Sequence, residues 1–294
     1  MSDAHPSVGE ADSSEHDTVG RGEPGATPAV TSRGSMSMPR LGFGTYELEP
    51  DDAERMVTAA LDVGFRHVDT AQMYGNEEAV GRAIAASGVS ADDVFVTTKV
   101  SNDHHEPHAL QESVERSIER LGLEHVDLLL IHWPVDFDRV SATLAALENV
   151  HAAGLTRHIG VSNFTVEQLD EVASMAPLEA LQVECHPFFR QDELRRWCRD
   201  HDWAFTAYSP IARGEVFDDE VMAEIAERHD CTPSAAALAW LLTLDGVAAI
   251  PRTGDVDHLR DNWSAREIEL DADALDAIAG LDERRLVDPA FSPW

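Results

Sequence analysis

The chain has 294 residues, 43% of them hydrophobic, which is enough to bury a large core as one big domain or two small ones. Its 55 acidic and 22 basic residues give a formal net charge of −33, and a surface that negative repels DNA, RNA and anionic membranes, excluding them as partners. Lys99 is the only lysine, so every other basic residue is an arginine.

Residues 1–37 are Ser, Gly, Asp, Glu, Ala and Pro without a hydrophobic period. They read as a disordered acidic tail, and a mis-assigned start codon ahead of Met36 or Met38 would explain the same stretch. From there to residue 294 short β-rich runs recur at 41–45, 66–70, 94–100, 126–132, 156–163, 180–185, 203–209 and 246–251. Helical patterns lie between them. The segment 51–64 carries acids in its first turn and Gly64 after its last, and 107–122 opens on Pro107 with apolar residues at Leu110, Val114, Ile118 and Leu121. Further helical patterns fall near 76–87, 139–153, 166–174, 191–200, 217–229, 233–243, 256–263 and 272–280. Eight strands alternating with helices predict a single-domain α/β fold, the (β/α)8 TIM barrel, over 38–294. A doubly wound sheet is the competing architecture, and no GxGxxG follows any strand to support it.

In such barrels the chemistry gathers at the C-terminal strand ends. Those ends supply Asp69, Lys99, His132, Ser162, Asn163, Gln182, Tyr208, Ser209 and Arg252, with Tyr74 in the loop after Asp69. Taken singly, each has an ordinary reading as a cap, a solvated charge, a loop aromatic or a core histidine. A lysine kept where arginine serves everywhere else weakens that reading, because a compact ammonium fits beside a phenol without needing a fork of acceptors. Such a charge is expected to lower the tyrosine pKa from its usual value near 10, with a carboxylate behind the lysine and a neutral histidine to orient the reacting oxygen. This constellation fits carbonyl reduction.

The motifs GFGTY (42–46), GFRHVDTAQMYGNEEAVGRAI (64–84), TTKVSN (97–102), LGLEHVDLLLIHWP (121–134), IGVSNF (159–164), LQVECHP (181–187), AYSPIARG (207–214) and IPRTG (250–254) follow one another in order. Through them residues 38–294 resemble the aldo-keto reductase family, and within it prokaryotic members similar to 2,5-diketogluconate reductases. The resemblance implies an enzyme using NADPH, with NADH as the alternative, to reduce a small-molecule carbonyl substrate, an aldehyde, ketone or keto-sugar. It implies Tyr74 as general acid, Lys99 tuning it, Asp69 pairing with Lys99 and His132 orienting the carbonyl. Ser162, Asn163 and Gln182 would hold the carboxamide, Thr45 and Asp69 would sit near the ribose, and Gly44 would be a further cofactor contact. Tyr208, Ser209, Pro210, Ile211, Arg213 and Gly214 would cover the cofactor. Arg252, Thr253, Gly254, His258, Asp261 and Asn262 would surround its adenine end. Tyr46, Tyr74, His132 and Trp133 would face the substrate, with Phe137 or Trp294 as further pocket walls.

Several positions depart from the family pattern. Cys185 stands where many members place a residue against the nicotinamide, Arg252 replaces the usual lysine, and His258 stands where an arginine is common in NADP-preferring members. The DHHEPH run at 103–108 lacks HExxH spacing and is read as a loop leading into a helix, without metal. Three widely spaced cysteines, no long apolar run and no secretory signal suit a reducing, cytoplasmic setting, and a monomer is expected. Acidity spread over the body fits a salt-adapted protein. The tail holds six acids against Arg21 and Arg33, a net −4, leaving −29 of the −33 in the body. Molar salt would screen it by shrinking the Debye length to about 3 Å. A non-catalytic nicotinamide-binding regulator on the same fold is the alternative function, and a phosphate-binding isomerase or aldolase barrel is disfavoured because only Gly214 and Gly254 are available for a phosphate loop.

Overall fold

The computed structural model describes residues 36–287 together with Met1, Ala29–Thr31 and Ser292. Strand β1 (Ala29–Thr31) pairs antiparallel with β2 (Ser37–Pro39). Eight parallel strands follow in sequential order: β3 (Phe43–Gly44), β4 (His67–Asp69), β5 (Phe95–Val100), β6 (Val126–Ile131), β7 (Thr156–Ser162), β8 (Ala180–Glu184), β9 (Ala204–Tyr208) and β10 (Val247–Ala249). The ends of this sheet meet. Leu41 bridges Ala249, the Gly42 N–H donates to Ala249 O at 2.9 Å, and the Ala249 N–H donates to Arg40 O at 2.8 Å, closing the (β/α)8 barrel.

Among the described residues ten α-helices surround the barrel: α1 (Pro50–Val63), α2 (Glu77–Ala86), α3 (Pro107–Leu121), α4 (Val140–Ala152), α5 (Val166–Val172), α6 (Asp192–Asp200), α7 (Glu220–Arg228), α8 (Pro233–Thr243), α9 (Val256–Ser264) and α10 (Ala272–Ala279). Their ends follow local chemistry. Proline opens α1, α3 and α8, and the Glu106 side chain accepts from the His108 and Ala109 N–H groups to cap α3. Gly122 ends α3 in the left-handed conformation at φ 65°.

Strand alternation sorts side chains into two cores. In β5, Val96 and Val100 face the helices, whereas Phe95 faces the barrel interior, and Thr97 and Lys99 share its parity. In β6, Leu129 and Ile131 point outward and Leu128 and Leu130 inward. The interior floor is Met36, Met38, Phe95, Leu128, Leu130, Ala180, Ala204 and Ala248. Space inside is short: a Cβ on Gly42 would lie 2.5 Å from His67 Nδ1, and one on Gly160 would lie 2.4 Å from Ala180 O.

The folded body begins earlier than position 38. Met36 is buried in the floor, and β2 from Ser37 hydrogen-bonds to β1, because methionine side chains fill the bottom of the interior where the strands leave it open. The rest of the expected tail, 2–28 and 32–35, lies outside the described residues.

Candidate active site

The inward positions at the C-terminal ends of the strands form a polar layer above this floor. Asp69 ends β4, Lys99 lies near the end of β5, Gln182 lies in β8, and all are at most 2% exposed. Lys99 Nζ donates to Asp69 Oδ1 at 2.5 Å and to Thr70 O at 2.9 Å, and lies 3.4 Å from Tyr74 Oη. Gln182 Nε2 donates to the other Asp69 oxygen at 2.7 Å, so both carboxylate oxygens are engaged. The Tyr74 ring packs edge-on against His132, with centroids 5.7 Å apart, and against Tyr46 at 5.2 Å. Tyr74 sits in a single short helical turn, Gln72–Tyr74, that Gly75 ends at φ 68°. Asn76 steadies the next residues by donating to Thr45 O and Leu48 O while accepting from the Thr70 hydroxyl.

Burial governs the titration of these groups. It pulls Lys99 below its ordinary 10.5, against the opposing pull of Asp69. It drives Tyr74 well above 10, with the Asp69 charge adding to the rise. The expected lowering of the tyrosine by lysine is therefore overturned. Burial, with the Asp69 carboxylate adding to it, outweighs the neighbouring Lys99 ammonium at the phenol. Burial, followed by Lys99 and His105, holds His132 well below 6.5 and hence neutral. Its Nδ1 is buried without a hydrogen-bond partner among the described residues, leaving Nε2 as the ring nitrogen that can meet a ligand.

Asp69, Tyr74 and His132 open into a cavity of about 630 Å³. Of the predicted residues, Gly44, Tyr46, Asp69, Tyr74, His132, Trp133, Ser162, Asn163, Gln182, Tyr208, Ser209, Pro210, Ile211, Arg213, Gly214 and Arg252 line it. Ser162 donates to Gln182 O at 2.7 Å, and Asn163 donates to His132 O at 3.0 Å while accepting from Tyr208 Oη at 2.8 Å, a preformed polar wall. Ser209, Ala212 and Arg213 all have φ near 50°, and Gly214 has φ 99°, so the covering loop is held in left-handed turns.

Others are placed elsewhere. Lys99 lies beneath Tyr74, outside the cavity lining. Thr45 has outward parity and donates its hydroxyl to Asp69 O at 3.0 Å. Thr253 is buried with its hydroxyl against Asp255, His258 is exposed, Asn262 is buried, and Gly254 is exposed; none lines the cavity. Asp261 accepts from the Thr232 and Ser234 hydroxyls at the start of α8. Cys185 shares the outward parity of Leu181 and Val183 and packs in the helix-facing core, so it does not touch the cavity, and burial raises its thiol to about 12. Phe137 packs on Phe164 at 5.9 Å instead of lining the pocket, and Trp294 lies outside the described residues. In the 103–108 run His104 bonds Gln72 and His108 is exposed beside Glu112, and no cluster of metal-ligand side chains occurs among the described residues.

Sequence reasoning missed Glu47, Met73, Ile250, Leu286 and Val287, which also line the cavity. Ile250 was detectable from its inward parity with Ala248. Glu47 was not. It binds Arg252 at 2.7 Å, so the arginine expected to be free for a phosphate already has a carboxylate partner.

A closed parallel barrel with a buried Lys–Asp pair under a tyrosine and a histidine at its C-terminal mouth gathers titratable groups where barrel enzymes carry out their chemistry. Sequence comparison makes the assignment specific. Residues 40–283 match the aldo/keto reductase family model, and this chain belongs to that family of oxidoreductases. It is 40% identical over 261 residues to an aldo-keto reductase of Mycobacterium marinum, covering 88% of this chain and 92% of that one. It is 38% identical over 260 residues to the methylglyoxal reductase DkgB of Escherichia coli O157:H7, covering 86% and 97%. Among solved structures, a putative 2,5-diketo-D-gluconic acid reductase B superposes with a TM-score of 0.87 at 37% identity, covering 90% of this chain and 96% of that one. Among the described residues no helix is long and apolar enough to cross a membrane.

Proposed function

We propose that this chain is an NADPH-dependent reductase of small aldehydes, ketones or keto-sugars, with Tyr74 as the proton donor. The observation that carries the reading is the Asp69–Lys99–Tyr74 chain, 2.5 Å and 3.4 Å per link, ending in a cavity beside a neutral His132. The raised Tyr74 pKa keeps the phenol protonated at neutral pH, which is the form a donor needs. Lys99, fixed by Asp69 and Thr70 O, places a positive charge beside the phenol oxygen as that oxygen gives up its proton. His132 Nε2 can donate a hydrogen bond to the same carbonyl oxygen and fix its direction.

The residues present fit a nicotinamide cofactor. Ser162, Asn163 and Gln182 offer amide and hydroxyl groups, Tyr208 offers a partly exposed ring, and Arg213 is an exposed cation in the lining with no ion pair among the described residues. When bound, the cofactor supplies the hydride. Arg213 and Arg252 favour the phosphorylated form through charge-assisted bonds, although Glu47 competes for Arg252. The names of two relatives, a methylglyoxal reductase and a diketogluconate reductase, support small carbonyl compounds as substrates. NADPH and NADH oxidation against a carbonyl panel in molar salt tests the proposal. Absence of turnover on every compound while NADPH binds would favour a regulatory protein instead.

A further inference from the structure

Glu184 ends β8 facing inward, is 2% exposed, and has no role in the chemistry proposed above. Its carboxylate is nevertheless fully occupied. Oε1 accepts from the Leu286 N–H at 2.8 Å and from His186 Nε2 at 2.9 Å. Oε2 accepts from the Val287 N–H at 3.0 Å and faces Arg285 Nε at 3.8 Å. Three of these four partners come from residues about a hundred positions away, in a segment of irregular structure beyond α10. Leu286 and Val287 are the residues of that segment that line the cavity.

We infer that Glu184 is a positioning residue: it straps segment 284–287 across the mouth, and through that strap sets the apparent affinity for the carbonyl substrate. The inference rests on the proposed reductase reading. An irregular segment has no helix or sheet of its own to hold its backbone N–H groups, so a buried carboxylate accepting two of them fixes its path. A second tether joins the strap to the neighbouring loop after β9. The Arg284 guanidinium lies 4.1 Å from the Phe188 ring centroid, and its Nε donates to Glu215 Oε2 at 2.8 Å. Glu215 directly follows Gly214, the end of the cavity-lining loop 209–214. Upstream, Arg190 holds Leu281 O at 2.8 Å and Ile278 O at 3.5 Å, so release at Glu184 would free the last residues without loosening α10.

Glu184→Gln keeps the shape but replaces one acceptor oxygen with an NH2 group, which meets an N–H donor head-on and removes the charge facing Arg285. Leu286→Pro removes one donor N–H without altering the barrel, and serves if the first variant folds poorly. In either variant KM for the carbonyl substrate is expected to rise about tenfold, the loss of roughly one charge-assisted hydrogen bond, with kcat within about threefold. Trypsin gives a readout independent of turnover. Cleavage after Arg284 or Arg285 in Glu184→Gln, and after Arg284 in Leu286→Pro, where the new Arg285–Pro bond resists trypsin, is expected to accelerate about tenfold, followed by intact mass. Unchanged KM and unchanged cleavage would overturn the inference, as would a fall in kcat and Tm with KM unmoved, which is the mark of a merely structural carboxylate. Faster cleavage in a protein that reduces no carbonyl would keep the strap and sink the reductase reading.

Discussion

At the floor of the barrel, Met36, Met38, Phe95, Leu128 and Leu130 close against one another, and a titratable group beside them, His67, bonds Thr97 Oγ1 and Pro39 O. At the mouth, one or two inward positions further along the same strands, the interior holds the ion pair of Asp69 and Lys99. Both ends are buried to a similar degree, and burial shifts titration at both. It pushes His67 down to about 4 and so keeps it neutral. Lys99 is pulled down too, but there Asp69, Gln182 and Thr70 O supply enough partners to hold a charged pair away from water. The difference teaches that depth alone does not decide whether this interior carries charge. The floor satisfies its polar atoms with neutral partners and serves stability, while the mouth keeps a buried charge whose one free direction is toward Tyr74.

The sharpest way to break that division is at Tyr74. Tyr74→Phe keeps the ring packing on Tyr46 and His132 but removes the proton, so kcat is expected to fall by roughly 10²–10⁴-fold. Tm and the NADPH dissociation constant should stay put, and a variant within tenfold of the parent would end the assignment of Tyr74.

A paired experiment compares the two ends directly. Lys99→Arg is expected to cripple turnover and, because Lys99 is wholly buried, also to cost about 1–3 kcal/mol by overpacking, so a conservative charge swap here does not leave the fold untouched. Met38→Ala should cost about 2–5 kcal/mol through the cavity it opens in the floor while leaving kcat/KM unchanged well below Tm. Denaturant titration alongside kinetics separates them, and an equal kinetic loss from both would erase the division of labour.

Acid sensitivity probes the floor through His67. His67 is 6.5 when unfolded and about 4 when folded, so between these values the unfolded chain binds the proton and the native state does not. Its contribution is fully present above pH 6.5 and is lost as pH falls toward 4, amounting to about 3 kcal/mol. The loss of stability from pH 7 to 4.5 should be shallower in His67→Gln, and identical slopes would show that other groups carry it.

The smallest effect expected concerns the surface outside both ends. With −33 formal charges and one lysine, Tm should fall by several degrees on dilution from molar to millimolar salt. A flat Tm would mean that this acidity is not an adaptation to salt.

Sequence determined the order of the barrel strands and helices and the convergence of Asp69, Tyr74, Lys99 and His132 at one mouth. Alternating β and α segments gather strand ends at one mouth whatever the details, and a lone lysine at such an end stands out. Tertiary structure decided what lies between residues distant in the chain. The outward parity of Thr45 and Cys185 depends on where each strand enters the barrel, and the capture of Arg252 by Glu47 joins positions 205 residues apart. The Met36 floor depends on methionines ahead of β3 entering the barrel interior, and the Glu184 strap ties β8 to a segment with no periodic pattern to read. Local propensity and spacing encode elements and their order. Hydrogen bonds and ion pairs between remote loops depend on the closed barrel bringing them together, and that geometry is not written in any one stretch of the chain.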